Sequence, residues 1–260
     1  MKYQKLLSIL REIESAVLAF SGGVDSTFLL KVMKESGVRT LAVTAYSDTM
    51  PAAELENAAA LAGTINAVHR VITTDEMSNP DFTCNPRNRC FYCKDELFSR
   101  LAAIARAEEY RFVIDGSNHD DLADWRPGMQ AAAIHGVRSP LLEAGLSKDE
   151  IRAFSKELGL PTWSKPASPC LSSRFPYGVR ITKNRLKRVE EAESFLKKLG
   201  FGDLRVRSDG ETAKIEVDAK ELPGFFDKEL RESVVRKLKA LGFKYVSVDL
   251  EGFRSGKLNE

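Results

Sequence analysis

Apolar and polar positions change between helical and extended spacing along the first 165 residues. Apolar residues recur at helical spacing over 6–13, and short apolar runs with the character of strands follow it at intervals. These strand-like runs are 16–20, 39–45, 67–74 and 111–117. Strands that alternate with helices in this way are typical of a parallel sheet. The pattern therefore predicts an α/β fold with a doubly wound parallel sheet.

Local signals place helices between these strands. Gly37 ends a helix that starts after the first strand, and Pro51 opens the next one. A further helix is predicted from Cys90 to about residue 110. Ser147 and Glu150 have capping-box spacing, so they predict a helix that starts at this point.

The pattern changes after about residue 178. A long charged helix is predicted over 183–199, followed by two alternating strands around Asp209-Gly210 that indicate a hairpin. A helix over 227–241 and a strand over 245–250 complete this part. We therefore predict a larger domain over 1–178 and a small α+β domain over 179–260.

Composition and charge exclude few classes of function. The 39 Lys and Arg against 37 Asp and Glu give a net charge of +2, which offers no general reason to expect a nucleic-acid or membrane partner. No apolar run approaches the roughly 20 residues that span a bilayer, and the first residues lack the features of a secretory signal. We expect a cytoplasmic protein, in which four cysteines serve as ligands or reactive thiols rather than disulfides.

A glycine turn joins the first strand to the following helix. Ser21, Gly22, Gly23, Asp25 and Ser26 lie where backbone N–H groups and the positive end of a helix converge, which favours a bound phosphate. Glycine lets the anion approach the backbone closely. The turn lacks the lysine of the mononucleotide P-loop. An ordinary glycine turn of an α/β domain is the alternative.

Three cysteines indicate a metal site. Cys90 and Cys93 stand three residues apart at the start of a predicted helix, so both sulfurs can reach one metal. Cys170 lies in the proline-bearing stretch SPCLSSRFPYG (168–178), a loop in which a structural cysteine is not expected. A zinc site completed by Cys84 and Cys170, or a pair of half-buried thiols, is the alternative. With one CxxC pair and three histidines, the residues favour an iron–sulfur site.

Longer stretches carry a resemblance to a known family. The glycine turn resembles the signature of PP-loop ATP pyrophosphatases. Five stretches together resemble the LarE family, ATP-dependent sulfur transferases that help to build the nickel-pincer nucleotide cofactor of lactate racemase, and the resemblance covers essentially the whole chain. They are FSGGVDST (20–27), NRCFYCK (88–94), GSNHDDLADWRPGMQA (116–131), SPLLEAGLSKDEIR (139–152) and SPCLSSRFPYG (168–178).

The resemblance implies a PP-loop ATP pyrophosphatase domain that cleaves ATP to AMP and pyrophosphate. The five residues of the glycine turn would hold the pyrophosphate, and Asp25 would also act in catalysis as an indirect partner of Mg²⁺. A carboxylate of pyridinium-3,5-biscarboxylic acid mononucleotide would be adenylated and then converted to a thiocarboxylate.

Family members differ in their source of sulfur. In one type, the cysteine at the position of Cys170 attacks the acyl adenylate and gives up its sulfur, leaving dehydroalanine. In the other type, three cysteines hold a [4Fe-4S] cluster, and a sulfide donor supplies sulfur repeatedly. Because Cys90, Cys93 and Cys170 occur together here, we expect the second type.

Several charged residues are candidates for the substrate site. Asp120, Asp121 and Asp124 follow the fourth strand, where they can bind Mg²⁺ or position substrate, or else form a solvated acidic loop. Arg126 is a candidate for the phosphate or carboxylate of the substrate. Arg174, beside Cys170, either stabilises charge as the carboxylate reacts or ties down the loop.

Two arginines lie in the first strand of the predicted hairpin. Arg205 and Arg207 alternate along it and face the same side, so both guanidinium groups can meet one phosphate, in this or a neighbouring subunit. An exposed polar face is the alternative. We expect a homo-oligomer with a small-molecule nucleotide substrate.

Two other classes of protein remain open. A tRNA thiolase also combines a PP-loop with a CxxC pair and a later cysteine, but it needs an electropositive surface that the near-neutral composition does not suggest. A non-catalytic zinc or nucleotide-binding module is the other. Salt-sensitive tRNA binding and metal content would distinguish them.

Overall fold

The structure, a computed structural model, describes residues 1–123 and 126–254. Its α-helices are α1 (Lys2–Ile13), α2 (Val24–Glu35), α3 (Ala52–Thr64), α4 (Pro80–Thr83), α5 (Arg89–Ala107), α6 (Pro127–Ile134), α7 (Pro140–Ala144), α8 (Lys148–Glu157), α9 (Lys183–Lys198) and α10 (Lys228–Ala240). Its strands are β1 (Ser15–Ala19), β2 (Arg39–Tyr46), β3 (His69–Thr73), β4 (Phe112–Ile114), β5 (Leu204–Arg207), β6 (Thr212–Val217) and β7 (Tyr245–Val248). Within these ranges, every helix is too short or too polar to cross a membrane.

The chain forms two compact units that do not follow one another in sequence. The first unit contains Met1–Asn79 and Asn88–Ser168. The second contains Pro80–Arg87 and Pro169–Glu260. The boundary expected near residue 178 lies inside the second unit, and the functional division into 1–178 and 179–260 stays a prediction.

A parallel sheet forms the centre of the first unit. Its strand order is β3-β2-β1-β4, and all three pairings are parallel. The side chains of β1 alternate between two apolar clusters: Ala16 and Leu18 pack with α1 and α2, and Val17 packs with α5. Because helices cover both faces, the interior strand β1 is apolar from residue 16 to residue 19. The predicted α/β fold with a parallel sheet is confirmed.

The second unit contains a three-stranded sheet with α9 and α10. Its strand order is β5-β6-β7, with β5 antiparallel to β6 and β6 parallel to β7. The carboxylate of Asp209 accepts hydrogen bonds from the backbone N–H groups of Glu211 and Thr212, which fixes the turn between β5 and β6. The predicted hairpin and small α+β unit are therefore present.

Candidate functional site

The glycine turn lies at the carboxyl end of the central strand of the sheet. β1 ends at Ala19, and α2 begins at Val24 with Gly23 as its N-cap. No described side chain caps the first turn of α2. The N–H groups at the start of α2 are therefore oriented as in helices that bind anions.

Two glycines allow the packing around this turn. Gly22 has φ +66°, and a Cβ at this position would lie 3.0 Å from the Cα of Ala58 in α3. A Cβ on Gly116, just after β4, would lie 3.0 Å from the backbone nitrogen of Ser26. Larger residues would push α3 or the β4 connection away from the turn. The role of Gly116 was not expected, because it depends on a contact between distant parts of the chain.

The two predicted serines of the turn contact each other. The hydroxyl oxygens of Ser21 and Ser26 are 3.1 Å apart, and the N–H of Gly23 donates to the Ser21 hydroxyl at 3.4 Å. The turn therefore places both hydroxyls and the start of α2 at one point.

Two lysines from later parts of the chain reach the turn. The ammonium group of Lys148 donates to Oδ2 of Asp25 at 2.6 Å, while Oδ1 of Asp25 is buried with no described hydrogen-bond partner. The ammonium group of Lys165 donates to the carbonyl oxygen of Gly22 at 3.1 Å and to Glu54 of α3 at 2.8 Å. Sequence reasoning missed both lysines, which lie more than 120 residues from the turn in the chain.

In the acidic segment after β4, Asp121 is buried while Asp120 is exposed. Asp121 is 6% exposed, accepts a hydrogen bond from the backbone N–H of Asn118 and pairs with Arg126 at 2.8 Å. Burial raises the pKa of Asp121 above its ordinary value, and the charge of Asp25 acts in the same direction. Two predicted substrate residues thus contact each other. The third, Asp124, lies outside the described residues.

A buried polar cluster follows the neighbouring strands β2 and β3. The hydroxyl groups of Ser47 and Thr49 both donate to Oε1 of Glu76, which is 2% exposed. The second carboxylate oxygen of Glu76 is buried and has no described partner. Parallel strands end at the same edge of a sheet, so this cluster belongs to the edge that carries the glycine turn. No motif pointed to it.

The predicted cysteine ligands lie in different units. Cys90 and Cys93 occupy the first turns of α5, where Cys90 is exposed and Cys93 half-buried. Cys170 is half-buried in the second unit, at the start of a short 3-10 turn. Among the residues that the structure describes, no three His, Cys, Asp or Glu residues are grouped so that they could hold a metal ion.

Arg174 ties down the loop that contains Cys170. Its guanidinium group is 2% exposed and binds Glu193 of α9 through Nε at 2.8 Å and Nη2 at 3.0 Å. Its Nη1 donates to the carbonyl oxygens of Pro169 and Cys170 and to the Ser173 hydroxyl. These contacts agree with the alternative that Arg174 fixes the loop. A role of Arg174 in stabilising charge as the carboxylate reacts stays a prediction.

Arg205 is buried and Arg207 is half-buried, so the two residues do not form an exposed polar face. Arg205 is 8% exposed, and burial lowers its pKa, with the positive charge of Arg174 acting in the same direction. Arg207 binds Glu216 on the neighbouring strand at 3.0 Å and donates to the carbonyl oxygen of Ser173 at 2.7 Å. Three guanidinium groups therefore lie in one region of the second unit, partly balanced by buried carboxylates.

The first unit is an α/β domain with a parallel sheet, compatible with a Rossmann-like fold, and it carries a glycine turn at the carboxyl end of β1. Comparisons with known proteins show the family to which the chain belongs. No family model matches the chain. It is 47% identical over 259 residues to an uncharacterized protein of Synechocystis sp., covering 99% of this chain and 97% of that protein. It is 38% identical over 261 residues to pyridinium-3,5-bisthiocarboxylic acid mononucleotide synthase of Lactiplantibacillus plantarum, covering 100% of this chain and 94% of the synthase.

A third relative extends the similarity to an archaeon. An uncharacterized protein of Methanocaldococcus jannaschii is 32% identical over 239 residues, or 92% of this chain and 90% of that protein. Since the synthase matches this chain over its whole length, the chain belongs to the LarE family of pyridinium-3,5-bisthiocarboxylic acid mononucleotide synthases. The family resemblance is confirmed.

Proposed function

We propose that this protein is an ATP-dependent sulfur transferase of the PP-loop type. It adenylates a carboxylate of pyridinium-3,5-biscarboxylic acid mononucleotide and converts it to a thiocarboxylate. The observation that carries this proposal is the full-length identity of 38% with the synthase of L. plantarum. The name of that relative also favours a small nucleotide over tRNA as substrate. A cytoplasmic location and a homo-oligomeric state stay predictions.

The glycine turn is the proposed site of the ATP phosphates. A substrate carboxylate oxygen attacks the α-phosphorus, the bond from that phosphorus to the β-phosphate oxygen breaks, and pyrophosphate leaves. Ser21, Ser26 and the N–H groups at the start of α2 receive the pyrophosphate. The buried Oδ1 of Asp25, which has no described partner, fits an indirect role in holding Mg²⁺.

Four charged residues predicted from the sequence are further proposed contacts with the substrate, together with Asp121. Arg126, held by Asp121, is suited to a carboxylate or phosphate, since a guanidinium group can donate two parallel hydrogen bonds. Asp124 keeps its predicted role in substrate binding. Arg205 and Arg207 are the proposed partners of the substrate phosphate.

We assign the sulfur step to Cys90, Cys93 and Cys170. Their donor chemistry fits a [4Fe-4S] cluster with three protein ligands, and two of the thiols lie one helical turn apart on α5. When bound, such a cluster would supply sulfide to the acyl adenylate, from which AMP leaves. The three thiols are not one metal-binding group among the described residues, so we derive no geometry for the cluster.

In the alternative route, Cys170 itself supplies the sulfur. Its thiolate attacks the acyl carbon and AMP leaves. A base then removes the Cα proton of residue 170, the Cβ–S bond breaks, and the sulfur departs with the product. Residue 170 becomes dehydroalanine, so the protein loses the mass of one hydrogen sulfide.

Iron and labile sulfide in protein purified without air test the cluster route. We expect four iron and four sulfide per chain, more than one product per chain when sulfide is added, and an unchanged protein mass. A single turnover with loss of one hydrogen sulfide would establish the sacrificial route. If no thiocarboxylate product formed either with or without added sulfide, the proposed function would be contradicted.

A matched pair of cysteine variants tests the ligand assignment. We expect Cys90→Ala to abolish iron binding and repeated turnover. Cys84→Ala removes another exposed thiol and should leave both unchanged. Full iron content in Cys90→Ala would contradict the role of Cys90 as a ligand.

A further inference from the structure

Lys165 contacts the glycine turn from a segment that lies 143 residues further along the chain. Its ammonium group donates to the carbonyl oxygen of Gly22 at 3.1 Å and to Oε2 of Glu54 at 2.8 Å. The two charged side chains are about one-fifth exposed, 19% for Lys165 and 20% for Glu54. The ammonium group is therefore partly removed from water beside the turn.

The backbone of Lys165 is held in place independently of this ion pair. Arg152 of α8 donates to the carbonyl oxygens of Trp163 at 2.6 Å and of Lys165 at 2.9 Å. The N–H of Lys165 donates to the carbonyl oxygen of Thr162. Because these contacts fix the backbone of Lys165, the residue stays near the turn even when its ammonium group leaves Glu54.

Glu54 is also fixed by its position. It lies in the first turn of α3, and the contact of Gly22 with Ala58 packs that helix against the turn. The carboxylate of Glu54 thus occupies a place beside the carbonyl of Gly22 where it neutralises the lysine. An ammonium group has three N–H donors, and contacts with Gly22 and Glu54 account for two of them.

We propose that Lys165 is a phosphate-binding residue for ATP and that Glu54 holds its ammonium group in place when no phosphate is bound. This inference rests on the proposed function, since it adds a residue to the ATP site. A polyphosphate at the glycine turn is a stronger partner for the ammonium group than the single carboxylate of Glu54. When a phosphate is bound, the ammonium group of Lys165 donates to a phosphate oxygen, either through its third N–H or through the N–H that otherwise donates to Glu54. Its hydrogen bond to the carbonyl oxygen of Gly22 keeps the ammonium group oriented toward the turn.

Opposite effects of two substitutions distinguish this role from a structural ion pair. Lys165→Met should weaken binding of ATP and of pyrophosphate about tenfold or more, since a charge-assisted hydrogen bond is lost. It should leave adenosine binding unchanged. Glu54→Gln should leave ATP binding as tight as in the wild type or tighten it, because it removes a competitor for the ammonium group. Lys165→Arg keeps the charge and should retain part of the affinity.

Isothermal titration of the full-length protein with ATP, pyrophosphate and adenosine measures these effects. Lys31→Met serves as the control, because it breaks a comparable lysine–glutamate pair further along α2. An equal loss of ATP affinity in Lys165→Met and Glu54→Gln would show a structural pair and overturn the proposal, as would unchanged binding in Lys165→Met. Failure of the wild type to bind ATP would instead refute the proposed ATP site itself.

Discussion

Gly22 shows how one residue sets the shape of the candidate phosphate site. Its φ of +66° lies in the left-handed region, which a residue with a Cβ adopts at a free-energy cost of about 1–2 kcal/mol. Its close approach to Ala58 adds a steric requirement. Conformation and packing therefore both require glycine at this position.

The substitution Gly22→Ala tests this requirement. We expect the free energy of unfolding to fall by about 2 kcal/mol, from backbone strain together with the contact to α3. ATP affinity should fall as well, because the turn must move. Gly63→Ala is the control: Gly63 lies in α3, has no atoms within 4 Å of an added Cβ, and should tolerate alanine. Denaturant unfolding and ATP titration measure both effects, and equal stability of the two variants would contradict the argument.

Asp121 should make folding stability depend on pH in an unusual direction for a carboxylate. Its pKa is raised in the folded state, so its contribution is fully present below the unfolded pKa of about 3.9 and is lost as pH rises through the folded pKa. Between pH 4 and 7, the wild type should therefore lose stability relative to Asp121→Asn. Denaturant unfolding of the wild type and Asp121→Asn at pH 4 and at pH 7 measures this difference in the free energy of unfolding.

Asp209 provides a control of opposite sign. Backbone N–H donors, that of Thr212 first among them, lower its pKa, so its contribution is present above the unfolded pKa and is lost as pH falls. The wild type should gain stability relative to Asp209→Asn as pH rises. If the stability of the wild type relative to Asp121→Asn and relative to Asp209→Asn changed in the same direction with pH, the burial argument for Asp121 would be wrong.

At the residue scale, local sequence was enough to predict the glycine turn but not its surroundings. The turn is a continuous stretch whose residue types have a direct physical reason. Lys148, Lys165 and Glu76 reach the same edge of the sheet from separate connections. Their positions depend on how strands and helices pack, which no local spacing encodes.

At the scale of elements, α9 shows how a charged helix can contribute a buried ion. Glu193 lies on the same face as Val189 and Leu196, and all three are buried. Its carboxylate receives the guanidinium group of Arg174 and the backbone N–H of Val206 in β5. The ion pair thus connects α9, the Cys170 loop and the sheet of the second unit.

Breaking this ion pair should be costly. We expect Arg174→Met and Glu193→Gln each to lower the free energy of unfolding by about 3–5 kcal/mol, because each leaves a buried polar partner without its complement. The double variant should lose clearly less than the sum, with a coupling energy of about 2 kcal/mol. A double-mutant cycle by denaturant unfolding measures this coupling.

An exposed pair on the same helix is the reference for that cycle. Lys187 and Glu191 are spaced i,i+4 and are 76% and 43% exposed. Their coupling should be about 0.5 kcal/mol or less. Similar coupling energies in the two cycles would contradict the importance of burial.

Element prediction succeeded where the periodicity was strong and failed where residues were small. The strands and the helices α1, α2, α3, α5, α8, α9 and α10 are all indicated by the sequence. The helix α6 was not, since it begins with Pro127-Gly128 and continues with alanines that give little contrast between faces. Those small residues let α6 approach α5, where a Cβ on Gly128 would lie 2.9 Å from the Cγ of Lys94.

At the scale of the whole molecule, the second unit depends on a segment that precedes the main helix of the first. Backbone N–H groups of Gly178 and Ile181 donate to the carbonyl oxygens of Asn85 and Thr83. Such a discontinuous unit is not visible in a sequence pattern, because residues 80–87 show only a polar, proline-bearing connection. The connection depends on hydrogen bonds between distant parts of the chain, which no local pattern encodes.

A substitution of Asn85 can measure how much residues 80–87 stabilise the second unit. It is fully buried, has φ 55°, and its side-chain amide donates to the carbonyl oxygens of Phe175 and Pro176. Asn85→Ala should lower the free energy of unfolding by about 2–4 kcal/mol, because it adds left-handed backbone strain and removes the donor to the carbonyl oxygens of buried Phe175 and of Pro176. Asn66→Ala introduces the same strain at φ 57° on an exposed residue and should lose only about 1 kcal/mol. Denaturant unfolding compares the two, and equal losses would show that the segment 80–87 contributes little to the second unit.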